Sequence, residues 1–340
     1  MSEFRHDPTI GRWVIIAPER NRRPRSPLPA SEQAQGAELF DPACPFCPGN
    51  EAMLPAIIAE TASGEPPGWR TRVVANKFPA VSQDIGRCQH RAFCEAAPGR
   101  GHHEVVIESP RHNDDLTTMS RNEVRDVLGT CRSRYDALMA DRAVQSVIVF
   151  RNRGSIAGAS LQHPHSQIIA LERVPPLVQS RQTAMLNYYQ EKDCCVLCDM
   201  IAHERADGSR LVDENDDFVS FVPFAATAPF EMWLVPKRHQ ADFGDLSNDE
   251  LNPFVDVLCN ALIRLGAGLH DPSYNYAIDT APKGGWGALH LHWCLRIVPQ
   301  LTTPAGFELG SGLPINSSLP EQDAAVLRRA PLASEKEINV

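Results

Sequence analysis

Some segments of the chain carry the apolar pattern of a strand, and others carry that of a helix. These segments occur in the same order twice along the chain. Short apolar runs at 104–108 and 231–235 predict buried strands, while 120–140 and 247–267 carry apolar residues at the spacing of an amphipathic helix. Both helical stretches open with Ser-x-x-Glu, the capping-box pattern found at helix starts. The pattern predicts an α+β protein made of two similar units.

More strands are expected after the first helix. An apolar strand at 146–151 is followed by a loop rich in Gly and Ser, and then by a strand that ends at Leu171. Two consecutive prolines shortly afterwards mark a junction. We expect an N-terminal domain over residues 1–176 and a C-terminal domain over residues 177–340, each with an antiparallel sheet.

Cysteines and histidines repeat in step with these elements. One Cys-x-x-Cys pair begins at Cys44 and another at Cys195. In each half a histidine lies eight residues after the glutamate of the first strand, and a second histidine lies 51 residues further on. These histidines are His112 and His163 in the first half, and His239 and His290 in the second. Equal offsets in both halves indicate an internal duplication.

Composition and charge narrow the classes of function. The 340 residues suffice for two domains, and the net charge of -9 disfavours a general nucleic-acid binder. The N-terminus lacks the apolar core of a signal peptide, and no apolar run approaches the ~20 residues that cross a bilayer. We expect a cytoplasmic protein with no nucleic-acid or membrane partner. In that reducing compartment, the paired thiols favour metal binding over disulfides.

Two metal sites are predicted from these thiols and histidines. The first consists of Cys44, Cys47, His112 and His163. The second consists of Cys195, Cys198, His239 and either His290, which the repeat spacing selects, or His292. Four thiolate and imidazole ligands form the usual structural zinc site and leave no position open for substrate. The alternative interpretation is two pairs of buried thiols beside unrelated histidines.

The segment His163-Pro-His165-Ser-Gln167 is the candidate catalytic motif. On a strand, alternate residues share a face, so three polar side chains would project together from an apolar segment. If His163 binds metal, His165 is free to act as a neutral nucleophile at the α-phosphorus of a nucleoside diphosphate compound. Gln167 can donate a hydrogen bond to a phosphoryl oxygen. The preceding loop, 152–160, offers small residues whose N–H groups can approach phosphate.

These motifs resemble the galactose-1-phosphate uridylyltransferase family of the histidine-triad superfamily. The resemblance covers nearly the whole chain, from Asp7-Pro-x-x-Gly-Arg-Trp13 to Gly310-Ser-Gly-Leu-Pro-Ile-Asn316, and includes Asn76-Lys-Phe-Pro-Ala80. Within the family, the chain looks most similar to the ADP-glucose phosphorylase branch. The segments that carry this second likeness are Gly158-Ala-Ser160, His292-Trp-x-Leu-x-Ile-Val-Pro-Gln300 and Gly306-Phe-Glu308.

The resemblance implies a fold, cofactors and substrate contacts. It implies two histidine-triad-like halves, each an antiparallel half-barrel sheet with packed helices, in a homodimer. It implies zinc at the metal sites, with iron as an alternative at the second, where it favours His292 over His290. The residues expected to contact substrate are Arg20, Asn76, Gly158, Ala159, Ser160, Gln167, Phe307 and Glu308.

Three hypotheses of function follow. The first is ping-pong transfer of a nucleotide between a nucleotide sugar and a hexose 1-phosphate, of the UDP-glucose–hexose-1-phosphate uridylyltransferase type, through a covalent intermediate on His165. The second is phosphorolysis of ADP-glucose through the same intermediate, with phosphate as acceptor. The third is a zinc-stabilised nucleotide-binding protein without catalysis. Classical histidine-triad hydrolases have a third histidine where this chain has Gln167, which favours transfer over hydrolysis.

Overall fold

The computed structural model describes residues 2–22, 38–66, 68–83 and 96–332, and over these residues the chain forms thirteen strands and six α-helices. The strands are β1 Glu3–Asp7, β2 Arg12–Ile16, β3 Ile57–Ala62, β4 Trp69–Ala75, β5 Gly101–Ile107, β6 Ser146–Arg153, β7 His165–Leu171, β8 Leu211–Glu214, β9 Phe218–Phe221, β10 Met232–Pro236, β11 Tyr274–Asp279, β12 Cys294–Pro299 and β13 Ile315–Asn316. The helices are α1 Arg121–Met139, α2 Pro176–Lys192, α3 Val196–Asp207, α4 Asn248–Leu269, α5 Gly306–Ser311 and α6 Pro320–Arg329.

Ten of these strands form one antiparallel sheet in the order β3-β4-β5-β7-β6-β11-β12-β10-β9-β8. The last five strands of this order repeat the first five in reverse. Each strand of the first half therefore has a counterpart five strands later in the chain, from β3 with β8 to β7 with β12. The halves join where β6 pairs with β11, with Phe150 opposite Ala277. A smaller sheet, β1-β2-β13, brings both ends of the chain together. The predicted α+β architecture of two related halves is confirmed, and the antiparallel sheets expected for the two halves form one continuous ten-stranded sheet.

Helices α1 and α4 cover the large sheet and contact each other. Each begins at a complete capping box, in which Ser120 pairs with Glu123 and Ser247 pairs with Glu250. The inner face of α4 is apolar and buried, and burial of one large apolar side chain stabilises the fold by about 1.5–3 kcal/mol. Residues on that face include Leu251, Phe254, Val255, Leu258, Leu262 and Leu265.

Two features depart from the sequence prediction. The strand of the catalytic motif begins at His165, because Pro164 has no N–H to donate to a neighbouring strand. The sequence pattern also gave no indication of α2 and α3, since α2 buries Met185 alone and its apolar residues follow no single face. The boundary at residue 176 coincides with the first residue of α2 and stays a prediction. None of the described helices has the length and apolarity needed to span a membrane.

Candidate active site and metal centres

His165 lies at the first position of β7, with 7% of its surface exposed. Its Nδ1 is 2.9 Å from the carbonyl oxygen of His163, which can only accept a hydrogen bond. The proton of the neutral ring is therefore on Nδ1, and the lone pair is on Nε2. Within the described residues no group forms a hydrogen bond with Nε2. Burial lowers the pKa of His165 below its ordinary value, which keeps the ring neutral and nucleophilic near pH 7.

A cavity of about 680 Å³ opens beside His165. Its walls include Ala159 and Ser160 from the predicted phosphate loop, and Arg153 from the end of β6. The loop depends on two glycines with left-handed φ, 85° at Gly154 and 88° at Gly158. The second half of the chain holds this loop, because the Asn275 side chain on β11 donates to the Asn152 side chain and to the carbonyl oxygen of Ala157, both at 2.8 Å.

Gln167 shares a face of β7 with His165 and contacts Asn76, and neither Gln167 nor Asn76 is among the residues that line this cavity. The Gln167 Oε1 atom is 3.5 Å from Nδ2 of Asn76 and 2.9 Å from Nε2 of His103. His103 belongs to none of the sequence motifs. It lies on β5 opposite Ile169 of β7, and this cross-strand register is not visible in a single sequence.

Three other predicted substrate residues lie away from the cavity wall. Arg20 is exposed on a short 3-10 turn, Pro18–Arg22. Phe307 is 52% exposed on α5, and Glu308 accepts a hydrogen bond from the backbone N–H of Ala305. Their contact with substrate stays a prediction.

The first metal group is assembled as its spacing predicts. Nδ1 of His112 is 3.4 Å from Sγ of Cys47, and Nδ1 of His163 is 3.6 and 3.7 Å from the thiols of Cys47 and Cys44. Nε2 of His163 donates to the carbonyl oxygen of Ser109 at 2.8 Å, which leaves Nδ1 available as a ligand. Burial also lowers the pKa of His163 to about 4, and a neutral imidazole is the form that binds metal. Two thiols and two imidazoles within 4.8 Å of one another fit a tetrahedral metal ion.

The second group contains Cys195, Cys198, His239 and His292. Nδ1 of His292 is 3.7 and 3.5 Å from the two thiols, and its Nε2 donates to the carbonyl oxygen of Pro236 at 3.0 Å. His290 is outside the group, and its ring lies 6.4 Å from that of Tyr189. The structure therefore places His292 beside the thiols, where equal spacing selects His290, because the interval from His239 to His292 is two residues longer than that from His112 to His163.

A buried ion pair contacts β7, the strand that carries His165 and Gln167. Nε of Arg151 is 3.0 Å from both carboxylate oxygens of Glu108, and the hydroxyl of Ser166 donates to Glu108 at 2.6 Å. Burial opposes the charge of Arg151, but the carboxylates of Glu108 and Asp115 outweigh it and raise the pKa of Arg151. Ser166 stands between His165 and Gln167, so the pair anchors the backbone that carries both. In the sequence, Glu108 could have been noticed as a charged residue that directly follows the apolar run 105–107.

Breaking this pair should destabilise the protein strongly. Glu108→Gln leaves the Arg151 guanidinium buried with weaker compensation, and we expect a loss of about 3–5 kcal/mol in the free energy of unfolding, measured by urea denaturation. The matched control is Asp256→Asn, which removes a carboxylate from the exposed pair with Arg121 and should cost less than about 1 kcal/mol. Equal losses in the free energy of unfolding for the two variants would show that the buried ion pair stabilises the fold no more than the exposed one.

The second half carries different residues at the positions that correspond to His165 and Gln167. With the metal-group histidines His163 and His292 aligned, Cys294 corresponds to His165 and Arg296 to Gln167. Cys294 is buried, and Arg296 forms an ion pair with Asp279. Arg181 of α2 forms an ion pair with the same carboxylate and covers this position.

Comparison with known proteins places this geometry in a family. The family model for the galactose-1-phosphate uridyl transferase N-terminal domain matches residues 1–175, and the family model for its C-terminal domain matches residues 181–337. The chain is 36% identical to ADP-glucose phosphorylase from Arabidopsis thaliana, over 97% of this chain and 93% of that protein. It is 32% identical to a probable galactose-1-phosphate uridylyltransferase from Drosophila melanogaster, over 95% and 94% of the two chains.

A solved structure is similar over the same extent. The crystal structure of the Arabidopsis thaliana ADP-glucose phosphorylase with bound ADP-glucose superposes with a TM-score of 0.84 at 34% identity, and covers 98% of this chain and 99% of that one. The two family models together, and each of the two relatives, cover both halves of the chain, including the cavity and the two metal groups. The chain therefore belongs to the galactose-1-phosphate uridyl transferase family of nucleotidyltransferase enzymes.

Proposed function

We propose that the chain transfers a nucleotidyl group in two displacements through a covalent intermediate on His165. The observation that carries this proposal is the Nε2 lone pair of a buried, neutral His165 whose Nδ1–H is bound to the carbonyl oxygen of His163. In the first step Nε2 attacks the α-phosphorus of a nucleotide sugar. A P–N bond forms, the P–O bond to the sugar phosphate breaks, and the electron pair leaves with the sugar 1-phosphate. In the second step an oxygen of the acceptor phosphate attacks, and the P–N bond breaks.

The remaining site residues would stabilise charge on the transferred phosphoryl group. Gln167 would donate from its amide nitrogen and Ser160 from its backbone N–H, while the N–H groups of Gly158 and Ala159 bond to carbonyl oxygens within the loop and hold its shape. Asn76 contacts Gln167 and so would bind the nucleotide from the same side. These donors are held on strands and a braced loop before substrate arrives, which reduces the reorganisation that the reaction requires.

Both Cys2His2 groups would hold zinc, with iron as the alternative at the second. The donor set supports zinc, since thiolate and imidazole are its usual structural ligands. Each ion would supply structural support, by fixing a Cys-x-x-Cys turn to two histidines from distant segments. In the first half, the carbonyl oxygen of His163 then holds the ring of His165 in place. The second half, with Cys294 and Arg296 in the corresponding positions, would have a structural role alone.

ADP-glucose is the donor we propose, with inorganic phosphate as the acceptor. It is supported by the 36% identity to the Arabidopsis thaliana ADP-glucose phosphorylase and by the TM-score of 0.84 to its structure with ADP-glucose. The second candidate is uridylyl transfer from UDP-glucose to a hexose 1-phosphate, which the family models and the Drosophila melanogaster relative support. A non-catalytic binding protein would have no use for a free nucleophilic nitrogen at His165. The expected homodimer is testable by sedimentation.

A panel of labelled donors tests the reaction and the base together. We expect the protein incubated with ADP-glucose labelled in the α-phosphate to retain label in a bond that is stable to base and labile to acid. Inorganic phosphate should then release the label as ADP. UDP-glucose labelled in the same position is the parallel arm, with galactose 1-phosphate as its acceptor. Retention of label from UDP-glucose alone would assign the second candidate, and retention from neither donor would contradict the covalent mechanism.

A further inference from the structure

A histidine outside the catalytic motif contacts the predicted hydrogen-bond donor Gln167. His103 projects from β5 toward β7, and its Nε2 is 2.9 Å from Oε1 of Gln167. Its other nitrogen, Nδ1, is 3.0 Å from the backbone nitrogen of Ala80. The side chain thus bridges the segment after β4 and the catalytic strand. We propose that His103 is a positioning residue that fixes the carboxamide orientation of Gln167, an inference that rests on the proposed function.

The protonation pattern follows from the backbone. The N–H of Ala80 can only donate, so Nδ1 of His103 accepts and the proton of the neutral ring is on Nε2. Nε2–H then donates to Gln167, whose acceptor atom is Oε1. This chain of contacts assigns the oxygen and nitrogen of the Gln167 amide, which are otherwise distinguished only by their hydrogen bonds.

Asn76 supports the same orientation. Its Oδ1 accepts from the backbone N–H of Phe78 at 2.8 Å, so its amino group is the part that faces Gln167. Nδ2 of Asn76 is 3.5 Å from Oε1 of Gln167. The 3.1 Å separation of Nδ2 from Nε2 of His103 is a contact between two donors and not a hydrogen bond. Two donors therefore share one acceptor, Oε1. The amide nitrogen of Gln167 is then the group left to donate to a phosphoryl oxygen.

The consequence for catalysis is specific to this orientation. A Gln side chain occupies nearly the same volume when its amide is reversed, but the reversed form would present oxygen lone pairs to a negatively charged phosphoryl group. Without the donor from His103, the reversed form becomes populated, and a preorganised donor is lost from the transition state. Removal of one such donor slows an enzyme by about 10²–10³-fold, so partial loss should give about 10–100-fold in kcat with little change in KM.

A pair of variants separates this role from simple packing. His103→Phe keeps the ring and removes the donor, whereas His103→Gln returns an amide N–H close to the position of the imidazole Nε2. We expect the rate of covalent labelling in a single turnover to fall about 10–100-fold in His103→Phe and to stay within about fivefold of wild type in His103→Gln. Circular dichroism and metal content establish that both variants are folded.

A double-mutant cycle completes the test. In a Gln167→Met background there is no amide to orient, so adding His103→Phe should change the rate little, because coupled residues are non-additive. If wild type is labelled, two results would overturn the inference. One is an equal loss in labelling rate for the two His103 variants, and the other is full additivity of the two substitutions in the double-mutant cycle. Absence of label from wild type with either donor would overturn the proposed function and this inference with it.

Discussion

Replacing His165 with glycine should lower turnover by about 10⁵-fold, because the proposed double displacement has no first step without this nucleophile. The variant should still fold and keep the metal content of the wild type, since the two Cys2His2 groups do not include His165. The added backbone freedom of a glycine in a strand costs about 1 kcal/mol, which is small for a protein of this size. Steady-state kinetics with ADP-glucose and phosphate measures the effect.

The matched control for that variant is His290→Gly. His290 is a histidine of the second half that lies outside both metal groups and outside the cavity at His165. We expect its turnover to stay within about threefold of wild type, as surface substitutions away from a site usually do. A His165→Gly variant that keeps a tenth or more of wild-type activity would exclude a covalent intermediate on this residue.

Loss of one metal thiol should remove one of two metal equivalents and lower the melting temperature by about 10 °C or more. Structural zinc contributes roughly 10–16 kcal/mol of binding free energy in small domains, and part of it is lost when a ligand is replaced. Adjacent cysteines of the second half provide the comparison. Cys195→Ser alters a member of the metal group, whereas Cys194→Ser alters a neighbour whose thiol donates to Asp199. Elemental analysis and differential scanning fluorimetry measure the two effects.

The corresponding Cys-to-Ser substitution in the first half should also lower the rate of nucleotidyl transfer. Cys47→Ser disturbs the group that contains His163, and the carbonyl oxygen of His163 holds the His165 ring. We therefore expect Cys47→Ser to slow nucleotidyl transfer more than Cys195→Ser does, at a temperature where both variants are folded. Full metal content in Cys195→Ser, or a Cys194→Ser variant that loses as much metal, would contradict the assignment of the second group.

Local patterns account for the parts of the fold and site that the sequence could predict. Helices α1 and α4 were predictable because their caps and apolar spacing lie within one segment each. The first metal group was predictable because its thiols are neighbours in sequence and its histidines repeat. The choice between His290 and His292 was harder, because the intervals from His112 to His163 and from His239 to His292 differ by two residues. Equal spacing selects His290, whereas the resemblance selects His292, which is the histidine that the structure places beside the two thiols.

The contacts that were not predicted depend on which strands are neighbours in the sheet and on their register, and these strands are distant in sequence. The contact between His103 and Gln167 requires the pairing of β5 with β7, and the ion pair of Glu108 with Arg151 requires β5 beside β7 and β6. Hydrophobic patterns specify which residues are buried, but not which buried polar group meets which. The continuous sheet through β6 and β11 is a similar case, since each half by itself predicts only its own strands.

Mapping of the covalent intermediate tests the central claim most directly. The protein is incubated with ADP-glucose without acceptor, quenched in base and digested, and the adduct is located by mass spectrometry. One adenylyl group per chain should be found on the peptide that contains His163-Pro-His165-Ser-Gln167, with fragmentation assigning it to His165, and addition of phosphate should remove it. Turnover of ADP-glucose with no adduct at His165, or with the adduct on another residue, would contradict the account.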